Sequence, residues 1–174
     1  MFRMKAYGHR RSIRLQTFHY GATAAYFITT CTTQRQFLFG TVAQGMFQAN
    51  ALGDIVAQEW HATGPLRNVV LDAFVVMPNH VHGIVVFDSE TGPPPIARAG
   101  SRQPLRRHTV PLANLVSGFK ASVTKRARLE LGWDGPLWQR NYYEHVIRSE
   151  DDLTTIRNYI VYNPAKWAED RYHM

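Results

Sequence analysis

A chain of 174 residues fits one domain at roughly 150 residues per domain, and a 45% hydrophobic, 12% aromatic composition supplies a core, which excludes global disorder and a coiled coil. Twenty Lys and Arg against thirteen Asp and Glu leave a net charge of +7, which points to a polyanionic partner, with nucleic acid first. The single cysteine, Cys31, excludes an intramolecular disulfide, and no apolar run approaches the roughly 18 residues of a membrane span. Arg10, Arg11, Arg14 and Gln16 interrupt the stretch where a signal peptide needs an unbroken apolar core, so the chain reads as a soluble protein of a reducing cytoplasm.

In chain order, Tyr26 to Cys31 is β-branched and aromatic and predicts a strand. Residues 42 to 61 place Val42, Met46, Ala49, Leu52, Ile55, Val56 and Trp60 at helical spacing, with Gly64-Pro65 closing the segment. Val69 to Met77 and His80 to Phe87 read as two strands of a hairpin turning at Pro78-Asn79. Leu112, Leu115, Val116, Phe119, Val123 and Ala127 mark one face of a helix, and Trp138 to Ile147 predicts another strand. A last helix opens at Ser149, with Asp152 in capping-box-like spacing, and ends at Asn163-Pro164. The order β-α-β-β-α-β-α predicts an α+β fold: a ferredoxin-like antiparallel sheet with helices packed on one face.

Charge is segregated along this order. No acid precedes Asp54, and none lies between Glu90 and Glu130, so fourteen of the twenty basic residues fall into two blocks of one sign. One such block reads as a solvated face, whereas two favour phosphate contact, because each neutralised phosphate releases counterions. Arg10, Arg11 and Arg14 from the first block, and Lys120, Lys125, Arg126 and Arg128 from the second, are the candidate DNA-binding residues. Between the blocks, residues 88 to 111 hold Gly92, Pro93, Pro94, Pro95, Gly100 and Pro104 and predict a long flexible surface loop. The chain is therefore expected to be one domain, 1–174, with a basic N-terminal segment (1–20) and this loop.

His80 and His82 are two apart in a predicted strand, so both imidazoles face the same side and can share one metal ion. A His-x-His pair also arises by chance, but this one directly follows a Met-Pro-Asn turn, where both rings can reach the surface. Tyr159 and Asn163 are four apart on one helical face and can approach the same ion or phosphate. Taken singly, Tyr159 also suits a core-edge residue and Asn163 a helix terminator. Tyr162 lies about 60° farther from the apolar stripe than Tyr159 and should face solvent. Trp133, Trp138, Tyr142 and Tyr143 are suited to base stacking, with packing the commoner role for at least half of them. His145 reads as a structural partner of Glu144.

The segment Val75-Val-Met-Pro-Asn-His-Val-His82, the Trp138 to Arg148 segment with Glu144-His145, and Tyr159-Ile-Val-Tyr-Asn-Pro164 together resemble the REP-associated branch of the single-tyrosine HUH transposases. The resemblance runs from Ile13-Arg14-Leu15 to Asn163-Pro164. It implies that His80 and His82 hold a divalent cation, magnesium or manganese, that Tyr159 is the nucleophile, and that Asn163 completes the metal site. It also implies a DNA endonuclease and strand transferase of the bacterial, nucleoid-associated cytoplasm. Such an enzyme acts on single-stranded or hairpin DNA of the repetitive extragenic palindrome type, as monomer or homodimer. The chemistry is consistent with this: a phenol of pKa near 10 needs a cation to assist its attack, and a 5′-phosphotyrosine conserves the phosphodiester's free energy for rejoining. Two other functions use some of these residues, namely a domesticated hairpin-binding protein that does not cut and a metal-dependent phosphoesterase in which water attacks.

Overall fold

The structure is a computed structural model that describes residues 24–87 and 112–173. The basic N-terminal segment with Arg10, Arg11 and Arg14, the Ile13-Arg14-Leu15 stretch, and the loop 88–111 lie outside the described residues.

Six strands and three α-helices are present among the described residues: β1 (Ala24–Cys31), β2 (Gly40–Ala43), β3 (Met46–Ala49), α1 (Ala51–Arg67), β4 (Val70–Met77), β5 (His80–Phe87), α2 (Leu112–Leu131), β6 (Tyr143–Ile147) and α3 (Glu150–Tyr162). A 3₁₀ segment, Pro164–Glu169, follows α3. Four strands form an antiparallel sheet in the order β4-β5-β1-β6, the antiparallel α+β architecture expected from the sequence.

Two elements differ from the sequence reading. The helix predicted over 42–61 is in fact the hairpin β2-β3 followed by α1. Gln44 and Gly45 both adopt left-handed φ (52° and 73°), which permits a two-residue hairpin turn, and the Asn50 side chain then caps α1 by accepting from the Leu52 and Gly53 amides. The helix also continues past Gly64-Pro65 to Arg67, where left-handed Asn68 ends it. The strand predicted over 138–147 is ordered as a strand only from Tyr143. Trp138 makes an isolated bridge to Thr32, and the backbone carbonyls of Gln139 and Asn141 accept from the Lys120 ammonium instead of from a neighbouring strand.

The sheet has two differently covered faces. Alternate residues Val81 and Val85 point toward α1 and α2, joining Val56, Trp60, Leu115, Val116, Phe119 and Val123 in the main core. On this face Gly83 is required, because a methyl group there would collide with the Trp60 ring. Ile84 and Phe27 point the other way and pack on Leu153, Ile156 and Ile160 of α3. Helices thus pack together on one face as expected, while α3 adds a third layer on the opposite face. His80 and His82 share the parity of Ile84, so they lie on the α3 side.

Candidate active site

The HUH-like pair sits at the start of β5, directly across from β1: Cys31 pairs with His80 and Thr29 with His82. Both imidazoles are fully buried, at 0% exposure. A buried imidazole must have its polar atoms satisfied, and here each Nδ1 has a partner. His80 Nδ1 lies 2.8 Å from Asn79 Oδ1, an amide oxygen that can only accept, so Nδ1 carries the proton and Nε2 presents a lone pair. His82 Nδ1 lies 2.8 Å from the Thr29 hydroxyl. The two Nε2 atoms converge to 3.0 Å.

Burial makes this convergence possible. Desolvation, with the nearby charges of Arg171 and Arg35, pushes His80 down to about 3, and desolvation with His80 and Arg171 pushes His82 well below its ordinary value. Neutral imidazoles are the form that binds a metal.

α3 brings the tyrosine. Its apolar stripe of Leu153, Ile156 and Ile160 seats the helix on the sheet, and the Arg157 guanidinium makes a two-point bond to the Asp72 carboxylate of β4, which holds Asp72 below the ordinary carboxylate range. Tyr159, one turn before Asn163, then packs edge-on to Phe27 (6.1 Å between centroids) with its hydroxyl 3.2 Å from His82 Nε2. Burial and the Asp170 charge raise the Tyr159 phenol above its ordinary range, partly offset by Arg171. The hydroxyl is therefore protonated at neutral pH. Tyr162 is more exposed, 57% against 41% for Tyr159, and does not reach the histidines.

A carboxylate completes the cluster. After Pro164–Glu169 the chain folds back so that ligand atoms of His80, His82 and Asp170 lie within 4.8 Å of one another. Asn163, predicted as a ligand, is buried and donates from its amide nitrogen to Asp170 Oδ2 at 2.7 Å. Its own Oδ1 has no partner among the described residues. Two converging neutral imidazole nitrogens, a carboxylate and an orphaned amide oxygen make a donor set suited to a divalent cation, with the nitrogen content favouring manganese over magnesium.

Asp170, Asn79, Thr29, Arg171 and Tyr172 were not picked out from the sequence. Asn79 follows a proline and reads locally as a turn residue. Nothing in the local sequence of Asp170 indicates that the chain returns to the histidines.

The predicted DNA-binding residues of α2 divide. Lys120 is engaged by the carbonyls of Gln139 and Asn141, and burial lowers it to about 8. Arg126 is held by Glu59, Glu130 and Gln58. These two are thus engaged by partners within the chain. Lys125 and Arg128 are exposed, and with Arg140 they border a shallow groove between α2 and the Trp138–Arg140 segment. That groove is on the α1/α2 side of the sheet. Next to Tyr159, a second depression is lined by Asn158, Tyr162, Lys166 and Arg171 among others.

The remaining sequence candidates pack. Trp138 lies against Phe39 and Phe119, and Trp133 and Tyr142 flank the same core. Tyr143 packs edge-on to Phe27 and carries the Arg171 guanidinium above its ring. His145 is indeed paired, but with Asp152 at 3.0 Å, whereas Glu144 accepts from Tyr142. No helix among the described residues is long and apolar enough to cross a membrane.

No family model matches the chain. An uncharacterized protein of Haemophilus influenzae is 37% identical over 171 residues, covering 95% of this chain and 94% of that one. A second Haemophilus influenzae protein, named "Putative REP-associated tyrosine transposase", is 24% identical over 99 residues, covering 54% of this chain and 48% of that one. Among solved structures, a REP-associated tyrosine transposase bound to a REP hairpin superposes with a TM-score of 0.52 at 19% identity, covering 95% of this chain and 77% of that one. The chain thus belongs to one family with its full-length Haemophilus influenzae relative, and it bears out the expected resemblance by carrying the fold of a REP-associated tyrosine transposase.

Proposed function

We propose that this protein is a transposase-type enzyme: a metal-dependent single-strand DNA endonuclease and strand transferase that cuts hairpin-forming repeats through a 5′-phosphotyrosine at Tyr159. The observation that carries this reading is the approach of the Tyr159 hydroxyl to His82 Nε2 (3.2 Å), beside His80 and Asp170. A phenol has no structural need of two buried, neutral imidazoles and a carboxylate. A nucleophile working on a phosphodiester does. The hairpin bound by the structurally similar transposase supports hairpin DNA as the substrate.

His80, His82 and Asp170 would hold the cation, with Asn163 orienting Asp170 and offering its free Oδ1. Once bound, the cation would polarise a nonbridging oxygen of the scissile phosphate. Tyr159 Oη attacks phosphorus, forming the Tyr–O–P bond while the P–O3′ bond breaks, and the phenolic proton leaves as the 3′-oxygen becomes a hydroxyl. Phe27 and the α3 stripe hold the ring in place for this in-line approach. Arg171 and Lys166, beside Tyr159, supply positive charge where the phosphate would lie, and Lys125, Arg128 and Arg140 offer further contacts on the opposite side of the sheet.

The test is incubation of the full chain with labelled hairpin DNA carrying single-stranded flanks and manganese, followed by a denaturing gel. A covalent adduct mapped by mass spectrometry to Tyr159 is expected. Cleavage without an adduct would establish a water-using phosphoesterase instead, and binding without cleavage a hairpin-binding protein.

A further inference from the structure

The C-terminal turn meets the site through one residue. Tyr172 is 7% exposed, and its ring packs against both imidazoles, 4.5 Å from His80 and 5.7 Å from His82 between centroids. Its backbone groups reach two different members of the cluster. Its backbone N–H donates to Asp170 Oδ1 at 2.7 Å. Its carbonyl accepts from Asn79 Nδ2 at 2.7 Å, and the Oδ1 of that same amide holds His80 Nδ1. Its hydroxyl accepts from the Arg171 guanidinium at 2.6 Å, so the ring is held against the two imidazoles.

We infer that Tyr172 is the positioning residue of the candidate metal site, orienting His80 through Asn79, backing both imidazoles with its ring and holding Asp170 through its own amide. The inference rests on the reading of His80, His82 and Asp170 as a metal site, and it adds a residue outside that set. Groups that bond the far side of a metal-binding imidazole fix its ring orientation, and losing them typically costs 10- to 100-fold in metal affinity. One residue set against all three groups accords with the turn being tied down at Asn79 and Arg35.

The experiment is titration of the full chain with manganese alone, read by calorimetry or by loss of the free-ion paramagnetic signal. Tyr172→Leu removes the ring that backs both imidazoles while keeping the backbone bonds, and is expected to weaken manganese binding about tenfold. Wild-type affinity in Tyr172→Leu would overturn the inference. If Tyr172→Leu does not fold, Asn79→Ala tests the path to His80: about tenfold weaker binding is expected, and unchanged binding overturns the inference. A wild-type chain that binds no manganese would overturn the metal-site reading itself, which separates the two failures.

Discussion

The two faces of the β4-β5-β1-β6 sheet are made from alternate residues of the same strands, yet they are held by different forces. On the α1/α2 face, Val81, Val85, Trp60 and Phe119 bury apolar area, and the indole nitrogens of Trp60, Trp133 and Trp138 have no partner among the described residues. Shape and area suffice there. On the α3 face every ring nitrogen of His80 and His82 has a partner within 3.0 Å, and the carboxylate of Asp170 is bonded at both oxygens. The first face therefore tolerates imperfect polar satisfaction and depends on volume. The second depends on direction, and a single lost bond should change chemistry before it changes stability.

The comparison is broken most severely by Tyr159→Phe. This change removes one hydroxyl on the α3 face and should eliminate the covalent adduct, a loss of about 10⁴-fold or more in cleavage, while hairpin binding persists; gel and binding assays on the same preparation check both. An equal loss of stability would show that the tyrosine is merely packing. On the other face, Trp60→Ala should cost about 3 to 5 kcal/mol in denaturant unfolding, because the ring is fully buried, stacked on Phe74 and edge-on to Phe119. Gly83→Ala should cost about 1 to 3 kcal/mol by overpacking the same ring.

Acid provides a test specific to the histidine face. His80 and His82 have folded values below the ordinary 6.5, so the unfolded chain takes up protons that the folded chain refuses. Their contribution to stability is complete above about pH 6.5 and is lost as pH falls from there toward about 3, at up to about 1.4 kcal/mol per pH unit for each histidine. Denaturant midpoints measured from pH 7.5 to 5 should fall, and a His80→Ala, His82→Ala double variant should flatten that dependence. A wild-type curve as flat as the variant's would mean the imidazoles are solvated.

The smallest effects sharpen the division within α2. Lys125→Ala and Arg128→Ala should each lower the slope of log affinity against log salt by up to about 0.7 on single-stranded DNA, without changing stability. Lys120→Ala should instead cost about 1 to 3 kcal/mol in stability by freeing the Gln139 and Asn141 carbonyls, with little effect on the slope. The opposite pattern would return Lys120 to the DNA.

The antiparallel sheet, the β4-β5 hairpin, the shared face of His80 and His82, and the proximity of Tyr159 to Asn163 were all legible in the sequence. Each depends on a period of two or 3.6, or on a turn, and these act over a few neighbouring residues. The β2-β3 hairpin was not legible, because Gln44-Gly45 is a weak turn signal and Val42, Met46 and Ala49 happen to sit at helical spacing. Nor did the sequence distinguish Lys125 and Arg128 from Lys120 and Arg126: Arg126 has a local partner in Glu130, four residues on, but Gln139, Asn141 and Glu59, 19 or more residues away, come into place only with the fold.

By itself the sequence determined which residue types could act and on which face of their own element they lie. Only the tertiary structure decided that Asp170 faces the histidines, that α3 lies across the sheet from α1 and α2, and that Tyr172 packs on both imidazoles and bonds Asp170. The contacts that join the sheet to α3 and to the C-terminal turn span long stretches of chain, 85 residues from Asp72 to Arg157 and 93 from Asn79 to Tyr172, and they are set by packing of the whole sheet instead of by any local propensity.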